Sequence, residues 1–399
     1  MIASDRKVQG DPLARSLALL AGLLAATGLA ASAPPRLRSV PVIYSSDLHH
    51  PPNDPDDHFD LATLFALREL EIRAVVLDCG RRQAAQPGKI PLRQMMTIAG
   101  RRVPWAIGLG DPLRTPDDDG RSQAPEFQGG VELILSALRA AQQPVTIITV
   151  GSLRDVAAAL NREPELVRAK VGRLYVNAGN AQGLQDEYNV TLDPHAFRRV
   201  MESGLPTWYC PCFGEGGPSA GAWENPKGGY GTCWTLPQGQ VFDRVPRPLL
   251  AYFLYALLPM QSNDRPEGAV QTSAWMEKVD AGWRAQTWAA YRCMWSTASL
   301  IHAAGRRIYR VGENGYEALS ASQAYGRGIQ ARAALKVFGF EPVSISFDQD
   351  GSLKMHDAPV GSPTKVFRAR DRALYSAAMR SCLTRLLAGL GAAPRLGCQ

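Results

Sequence analysis

From Val40 to about residue 210, short β-rich runs alternate with amphipathic helical patterns, and this alternation constrains the fold more than any other feature. The strand-like runs are 40–46, 72–79, 103–109, 144–150, 172–179 and 205–210. Between them lie patterns with helical spacing, such as 59–70, in which apolar residues recur on one side. Such alternation predicts an α/β fold with a mostly parallel central sheet and helices on both faces.

The regular pattern ends near residue 212. Residues 213–240 are dense in Gly, Pro and Trp and have no period, which is typical of either an ordered lid or a flexible surface insertion. From about residue 244 the chain is more helical, and the run EPVSISFDQDGSLKM (341–355) predicts a hairpin. Trp288, Tyr291 and Trp295 follow helical spacing, which favours positions in the core, with stacking against a base as the alternative.

The N-terminus has the pattern of a secretory signal. An apolar stretch, 17–30, follows Arg15 and ends in the small residues 31–33, which predicts a signal peptide over 1–33 and a single domain over 34–399. An uncleaved anchor is the alternative. No later run is long and apolar enough to span a bilayer, so we expect an exported protein, periplasmic or extracellular, without stable membrane insertion after cleavage.

Charge and cysteine content limit the partners. The net charge is +7, from 44 Lys and Arg against 37 Asp and Glu, but no basic block with interleaved aromatic residues indicates nucleic acid. Of seven cysteines, Cys210, Cys212 and Cys233 lack a fourth ligand at zinc spacing. We expect a disulfide between Cys233 and one of the other two, with the connectivity left open.

Polar side chains follow the ends of several predicted strands. Ligands of parallel α/β sheets bind beyond the carboxyl ends of the strands, so we expect these residues to converge. Clustered carboxylates repel one another unless a cation or a proton neutralises them, and hard oxygen ligands suit Ca²⁺ or Mg²⁺. The residues concerned are Asp47, Asp54, Asp56, Asp57, Asn180, Glu187 and Asn189.

Four segments between residues 40 and 212 carry a family resemblance. They are VIYSSD, DPDDHFDLATLFAL, VTIITVGSLRDVAAALNREPEL and NAGNAQGLQDEYNVTLDPHAFRRVMESGLP. This region resembles the inosine/uridine-preferring nucleoside hydrolases, which open with a strand, an Asp-x-Asp pair and an Asp-Asp helix start. The stretch Glu-aromatic-Asn-x(3)-Asp-Pro is the most specific part of the likeness.

The resemblance implies a reaction and a set of roles. The chain would cleave the N-glycosidic bond of a ribonucleoside or a related N-riboside. Asp47 would be a Ca²⁺ ligand and the general base that activates the attacking water. Asp57 and the carbonyl of Val150 would be further ligands. The residues that would hold the ribose hydroxyls and support the oxocarbenium-like transition state are Asp56, Asn180, Glu187 and Asn189.

Several positions depart from the family pattern. Ser45 replaces the first Asp of the opening pair, and Arg81 replaces a ribose-contacting Asn. The turn before Asp56 is longer and contains His49, His50 and Asp54. The late His-Asp-Pro-Leu segment, which supplies a ligand and a leaving-group acid, aligns with VPRPLLAYF and so with Pro246 and Arg247.

These departures leave alternatives open. One is a catalytically altered protein that binds a pentoside without turnover, and a homo-oligomer is compatible with the sequence. A haloacid dehalogenase-type phosphatase is disfavoured, because Ser45 stands where its nucleophilic Asp would be. Individually, Asp57 also suits a helix N-terminus, and the three histidines, including His58, suit a solvated loop. Asp60 is an auxiliary ligand candidate, and Arg81 a candidate for an anionic substrate.

Overall fold

A computed structural model describes residues 39–52, 54–215, 217, 227–257, 281–313 and 315–391. The predicted signal peptide, the domain boundary at residue 34, Cys398 and part of the 213–240 insertion lie outside these ranges. The described chain contains the strands β1 Val40–Ser46, β2 Leu70–Leu77, β3 Trp105–Ile107, β4 Val145–Val150, β5 Val171–Val176, β6 Thr207–Tyr209, β7 Trp234–Pro237, β8 Tyr291–Met294, β9 Arg307–Val311, β10 Gly315–Leu319, β11 Phe338–Phe347, β12 Leu353–Asp357 and β13 Thr364–Ala369.

Helices follow most strands of the first half and dominate the region after β6. They are α1 Asp56–Ala66, α2 Gly80–Ala85, α3 Lys89–Ala99, α4 Gly129–Ala140, α5 Arg154–Arg162, α6 Pro164–Lys170, α7 Tyr188–Thr191, α8 Pro194–Met201, α9 Gln238–Phe242, α10 Arg247–Leu257, α11 Ala281–Ala289, α12 Thr297–Ala303, α13 Ala321–Gly326 and α14 Arg372–Ala388. No helix within the described ranges has the length and apolar character needed to cross a membrane.

The central sheet has nine strands in the order β12-β11-β13-β6-β5-β4-β1-β2-β3. Neighbours from β13 to β3 are parallel, whereas β11 pairs antiparallel with both β13 and β12. The prediction of a mostly parallel sheet is therefore confirmed. The hairpin predicted at 341–355 is also confirmed, because β11 and β12 form the antiparallel edge.

The two faces of the sheet pack against separate cores. Along β1, Val42 and Tyr44 point into a cluster that contains Phe59 of α1, whereas Ile43 points into a second cluster with Leu135 of α4. Successive strand side chains point to opposite faces, so each central strand is apolar on both sides. Helices consequently cover both faces, as the sequence predicts.

Some element predictions differ from the structure in detail. The runs 103–109 and 205–210 form strands of only three residues, 105–107 and 207–209. The described part of the chain after residue 244 contains five helices and also β8 to β13, three of which extend the central sheet. Tyr291 lies on β8 and is 70% exposed, so the predicted core position of Tyr291 on a helix is wrong.

Candidate active site

A cavity of about 660 Å³ opens at the carboxyl ends of β1, β4 and β5. The chain direction brings Asp47, which follows β1, to the same edge as Val150, the last residue of β4. Six carboxylates line the cavity: Asp47, Asp54, Asp56, Asp57, Asp186 and Glu187. The polar residues that follow separate strands in the sequence do therefore converge.

Asp47 lies at the carboxyl edge of the sheet, between the ends of β1 and β4. Its side chain is hydrogen-bonded to that of Asp57, and burial together with the charge of Asp78 raises its pKa to about 7. The residue after Val150 must be glycine, because a Cβ on Gly151 would lie 2.7 Å from the backbone nitrogen of Asp47. The carboxyl of Asp47 thus stays close to the end of β4.

Asp56 and Asp57 are the first two residues of α1. Ser46, at the end of β1, donates a hydrogen bond of 3.1 Å from its hydroxyl to Oδ1 of Asp57. Burial, followed by the charge of Asp47, raises the pKa of Asp57 well above its ordinary value. Burial also raises the pKa of Asp56, with Asp54 as the next cause. Neutralisation by a proton or a cation would relieve this repulsion.

Glu187 and Asn189 lie together at the start of α7. Glu187 is the N-cap, and its carboxylate accepts hydrogen bonds from the backbone N–H of Gly179 (2.6 Å) and of Asn189 (3.1 Å). Burial raises the pKa of Glu187, while these backbone donors lower it. The side-chain amide of Asn189 donates to the carbonyl of Asn177 at 3.2 Å. Both predicted residues line the cavity in fixed orientations.

Asn180 is not among the residues that line the cavity, which corrects the sequence prediction. Its side chain is turned into its own loop, where Nδ2 donates to the carbonyl of Leu184 (2.8 Å) and to Asp186 (2.6 Å). The amide is therefore occupied in holding the loop that presents Asp186.

Asn177 takes the place predicted for Asn180. It follows β5 directly, lines the cavity, and donates from Nδ2 to the carbonyl of Thr149 at 3.0 Å. Ser299 donates to its Oδ1 at 2.8 Å. The sequence signal was present, because Asn177 is the first polar residue after a buried strand, but the predicted strand 172–179 extended three residues beyond the end of β5 and so included Asn177.

The cavity is not lined by the segment at Pro246 and Arg247 that the sequence aligns with the late family motif. Pro246 and Arg247 stand at the start of α10, which packs on α1 and α3, and neither lines the cavity. Trp295 and Ser296, just before α12, line it instead. Ser296 hydrogen-bonds the buried Asp60, whose pKa burial raises to about 7. Asp60 itself lies behind the cavity wall.

The lengthened turn before α1 contributes to the cavity unevenly. His49 lines it, with Nδ1 2.8 Å from the carbonyl oxygen of Asp47. Asp54 forms an ion pair of 2.6 Å with Arg292 of β8, which also lines the cavity. His50 and His58 are fully buried among aromatic side chains and do not reach the cavity, so the prediction of solvated loop histidines is wrong for them.

Two further predictions need correction. Arg81 points away from the cavity and pairs with Asp111 at 2.5 Å, so it does not meet a ligand there. Cys210 and Cys212 form no disulfide with Cys233. The backbone N–H of Cys233 donates to the carbonyl of Cys212 at 3.3 Å, but the Cys233 thiol is hydrogen-bonded to Cys293 instead.

Four aromatic side chains line the cavity together with the carboxylates. They come from α7, the segment after β6, and the region of β8, which the helical spacing of the sequence did not reveal. These residues are Tyr188, Phe213, Tyr291 and Trp295. A cavity lined by both carboxylates and aromatic rings can take a ligand in which a polar group is joined to a flat ring.

Comparisons with known proteins agree with this geometry. Residues 52–213 match the family model described as inosine-uridine preferring nucleoside hydrolase. The pyrimidine-specific ribonucleoside hydrolase RihA of Salmonella paratyphi A is 31% identical over 189 residues, 42% of this chain and 58% of that protein. RihA of Citrobacter koseri is 31% identical over 190 residues, with the same coverage. The chain therefore spans little more than half the length of these curated relatives.

Solved structures extend the likeness of the fold over more of the chain. The effector protein XOO4466 superimposes with a TM-score of 0.50 at 16% identity, covering 94% of this chain and 99% of that protein. The type III effector protein XopQ, solved as a complex with adenosine diphosphate ribose, gives 0.50 at 15% identity with the same coverage. The matched residues 52–213 include α1, β4 and Glu187, so this part of the chain is similar to the inosine-uridine preferring nucleoside hydrolase family.

Proposed function

We propose that this protein hydrolyses the N-glycosidic bond of ribonucleosides or related N-ribosides. One observation carries the proposal: the side chains of Asp47, which is buried, and Asp57, which is half-buried, lie together with Val150 beside them at the carboxyl edge of a parallel sheet. Two adjacent carboxyls in such a place are unfavourable in isolation, and a site that binds a cation or moves a proton explains why they are there.

The residues present fit a divalent cation. Within the described ranges, no three His, Cys, Asp or Glu side chains group closely enough to hold a metal by themselves. Two carboxylates and the Val150 carbonyl are nevertheless hard oxygen donors of the kind that Ca²⁺ prefers, and water completes such coordination in proteins. We propose Asp47, Asp57 and Val150 as the protein ligands and Ca²⁺ as the ion. A cation held there would supply positive charge that lowers the pKa of a nearby water molecule.

The side chains of the cavity have two further roles, which are proton transfer and positioning of the ribose. Asp47, at the end of β1 and beside the proposed cation, is placed to accept the proton of the attacking water. Asp56, Glu187 and Asn189 hold the ribose hydroxyls, which orients the anomeric carbon and stabilises its developing positive charge. We propose Asn177 as a further contact to the sugar in place of Asn180, because it lies in the lining beside Asn189.

Trp295 and Ser296 favour a second candidate function, which is binding of a pentoside without turnover. Both residues belong to the late part of the chain and line the cavity beside Cys293, and neither side chain ionises near neutral pH. A pentoside-binding protein without turnover would need no ionising group there. The complex of XopQ with adenosine diphosphate ribose is an example of a similar fold that holds a ribosyl compound.

Release of free ribose separates these two functions. The full chain, with and without Ca²⁺, is incubated with inosine, uridine, cytidine and adenosine, and reducing sugar is measured. We expect turnover that Asp47→Asn lowers by about 10³-fold or more, because the general base is lost. The matched control is Asp117→Asn, whose carboxylate is 93% exposed on the surface. Nucleoside binding without ribose release across the panel would establish the second function instead.

The exported location and a homo-oligomer remain predictions from the sequence. Both are checked on the same preparation, by N-terminal sequencing of protein recovered after secretion and by light scattering.

A further inference from the structure

Strands β7 and β8 form an antiparallel ribbon beside the cavity, and two cysteines lie on one side of it. Cys293 is opposite Thr235, and Cys233 lies two residues before Thr235 in extended chain. Side chains two residues apart point to the same face, so Cys233 and Cys293 are diagonal neighbours. Diagonal Cβ atoms are ordinarily about 7–8 Å apart. The hydrogen bond between the two thiols shows that the end of the ribbon brings them closer.

The two thiols differ in access. Cys233 is fully buried, and its backbone is held on both sides, by the carbonyl of Cys212 (3.3 Å) and by the guanidinium of Arg372, which donates to the Cys233 carbonyl at 2.7 Å. Cys293 is half-buried and lines the cavity. A small oxidant that enters the cavity therefore meets Cys293 first and reaches Cys233 only through it.

We propose that Cys233 and Cys293 are a redox-active pair, oxidised to a disulfide by a low-molecular-weight disulfide such as oxidised glutathione. The Cys293 thiolate attacks one sulfur of the oxidant and releases one thiol. Cys233 then loses its proton and attacks the sulfur of Cys293, which forms the protein disulfide and releases the second thiol. Two protein thiols are oxidised, the small disulfide is reduced to two thiols, and the two protons end on the released thiols.

The surroundings support this order of events. The hydrogen bond with Cys293, followed by burial, raises the pKa of Cys233 and keeps it a thiol while Cys293 is reduced. Once Cys293 is joined to the oxidant, it no longer forms this hydrogen bond, and the pKa of Cys233 is no longer raised by it. The nearby positive charge of Arg372 then favours the Cys233 thiolate. The opposite order is blocked because Cys233 has no exposed surface.

The disulfide would restrain the part of the cavity wall that β8 forms. Strand β8 also carries Tyr291 and Arg292 into the lining, and a covalent link to the segment before β7 restrains both. This inference goes beyond the proposed hydrolysis and does not depend on it, because the pair is oxidised whether or not the cavity turns over a nucleoside.

Peptide mapping of the full chain tests the pair directly. The reduced protein is equilibrated with reduced and oxidised glutathione, free thiols are alkylated, and the chain is cleaved after Lys and Arg. Cys233 then lies on the peptide 228–244, Cys293 on 293–306, and Cys210 and Cys212 on 200–227. We expect a linked species of 228–244 with 293–306 that disappears on reduction. Separate alkylation of both peptides, or a link from 228–244 to 200–227, would overturn the proposal.

Two variants complete the test. In the wild type we expect oxidation to raise Tm, because a disulfide constrains the unfolded chain. Cys293→Ser should abolish both the linked species and this rise in Tm, and Cys382→Ser, which changes a buried cysteine of α14, should retain both. Retention of the oxidation-dependent Tm rise in Cys293→Ser would contradict the assignment. If Cys293→Ser does not fold, the wild-type map decides by itself.

Discussion

The hydroxyl of Ser46 donates a hydrogen bond of 3.1 Å to Oδ1 of Asp57, so the last residue of β1 is tied to the first turn of α1. The same bond orients one of the two carboxylates of the proposed cation site. A hydrogen bond that orients a ligand carboxylate contributes to the geometry of the site as well as to its charge.

Ser46→Ala removes this donor and leaves an oxygen of the half-buried Asp57 carboxylate without it. We expect the affinity for Ca²⁺ to fall by roughly 10-fold or more, and the free energy of unfolding of the cation-free protein to fall by about 1–3 kcal/mol. Isothermal titration with Ca²⁺ and urea denaturation measure the two effects. Ser39→Ala, which removes a hydroxyl that bonds Glu71 at the surface, is the control. Unchanged Ca²⁺ affinity in Ser46→Ala would argue against Asp57 as a ligand.

Gly151 supports Asp47 through its lack of a side chain. A Cβ at this position would lie 2.7 Å from the Asp47 nitrogen and 3.0 Å from its Oδ1. Gly151→Ala therefore has to displace Asp47, and misplacement of a reacting group by about 1 Å costs of order 10²-fold in rate.

The expected result for Gly151→Ala is a fall in kcat for ribose release, with a folded protein by circular dichroism. Gly326→Ala is the matched control, because a Cβ there meets no atom within 4 Å. Wild-type kcat in Gly151→Ala would show that the position of Asp47 is not critical.

The site residues that come directly after strand ends could be predicted from the sequence, and the sheet topology explains why. Asp47, Asp57 and Val150 stand at the ends of β1 and β4 or at the helix start between them, so the parallel sheet alone brings them to one edge. Glu187 and Asn189 were reached through the spacing of a local motif. In each case the evidence lay within one strand-loop-helix unit.

The other residues that line the cavity could not be predicted from strand ends or from a local motif. Trp295 and Ser296 follow a long region without a regular pattern, so no local period in the sequence indicates that they line the cavity. The choice between Asn177 and Asn180 depends on where β5 ends, and strand boundaries are the least reliable feature of a pattern. Arg292 enters the cavity from a ribbon outside the central sheet, which no local period could indicate.

The charge of the cavity predicts a preference among substrates. Among the described lining residues, six carboxylates face one arginine, and Arg292 is already paired with Asp54. A phosphate group entering this field is repelled, even with a bound divalent cation. We expect kcat/KM for uridine to exceed that for its 5′-monophosphate by roughly 10-fold or more, because like-charge approach lowers both encounter and binding.

Salt provides the control for this preference. Raising the ionic strength screens the field, so the ratio between the two substrates should narrow. Equal kcat/KM values for uridine and uridine 5′-monophosphate at low salt would show that the carboxylates do not set the preference.

His302 of α12 lies behind the site, with Nδ1 2.7 Å from the hydroxyl of Tyr175 on β5. Burial, followed by the positive charges of Arg173 and Lys365, lowers the pKa of His302 from 6.5 to about 4. The folded state therefore binds fewer protons than the unfolded state between these two pH values. The free energy of unfolding consequently gains a contribution as pH rises through this window, and loses it as pH falls from 6.5 towards 4.

His302→Gln keeps a polar partner for Tyr175 and removes the titration. We expect the wild type to lose up to about 3 kcal/mol relative to this variant as pH falls through the window, since each pKa unit corresponds to about 1.4 kcal/mol. Urea denaturation of both proteins over a pH series measures the difference, in which the contributions of the shared carboxylates cancel. His356→Gln, an exposed histidine of β12, should follow the wild type. If the pH dependence of His302→Gln matches that of the wild type, the imidazole is not held neutral by the fold.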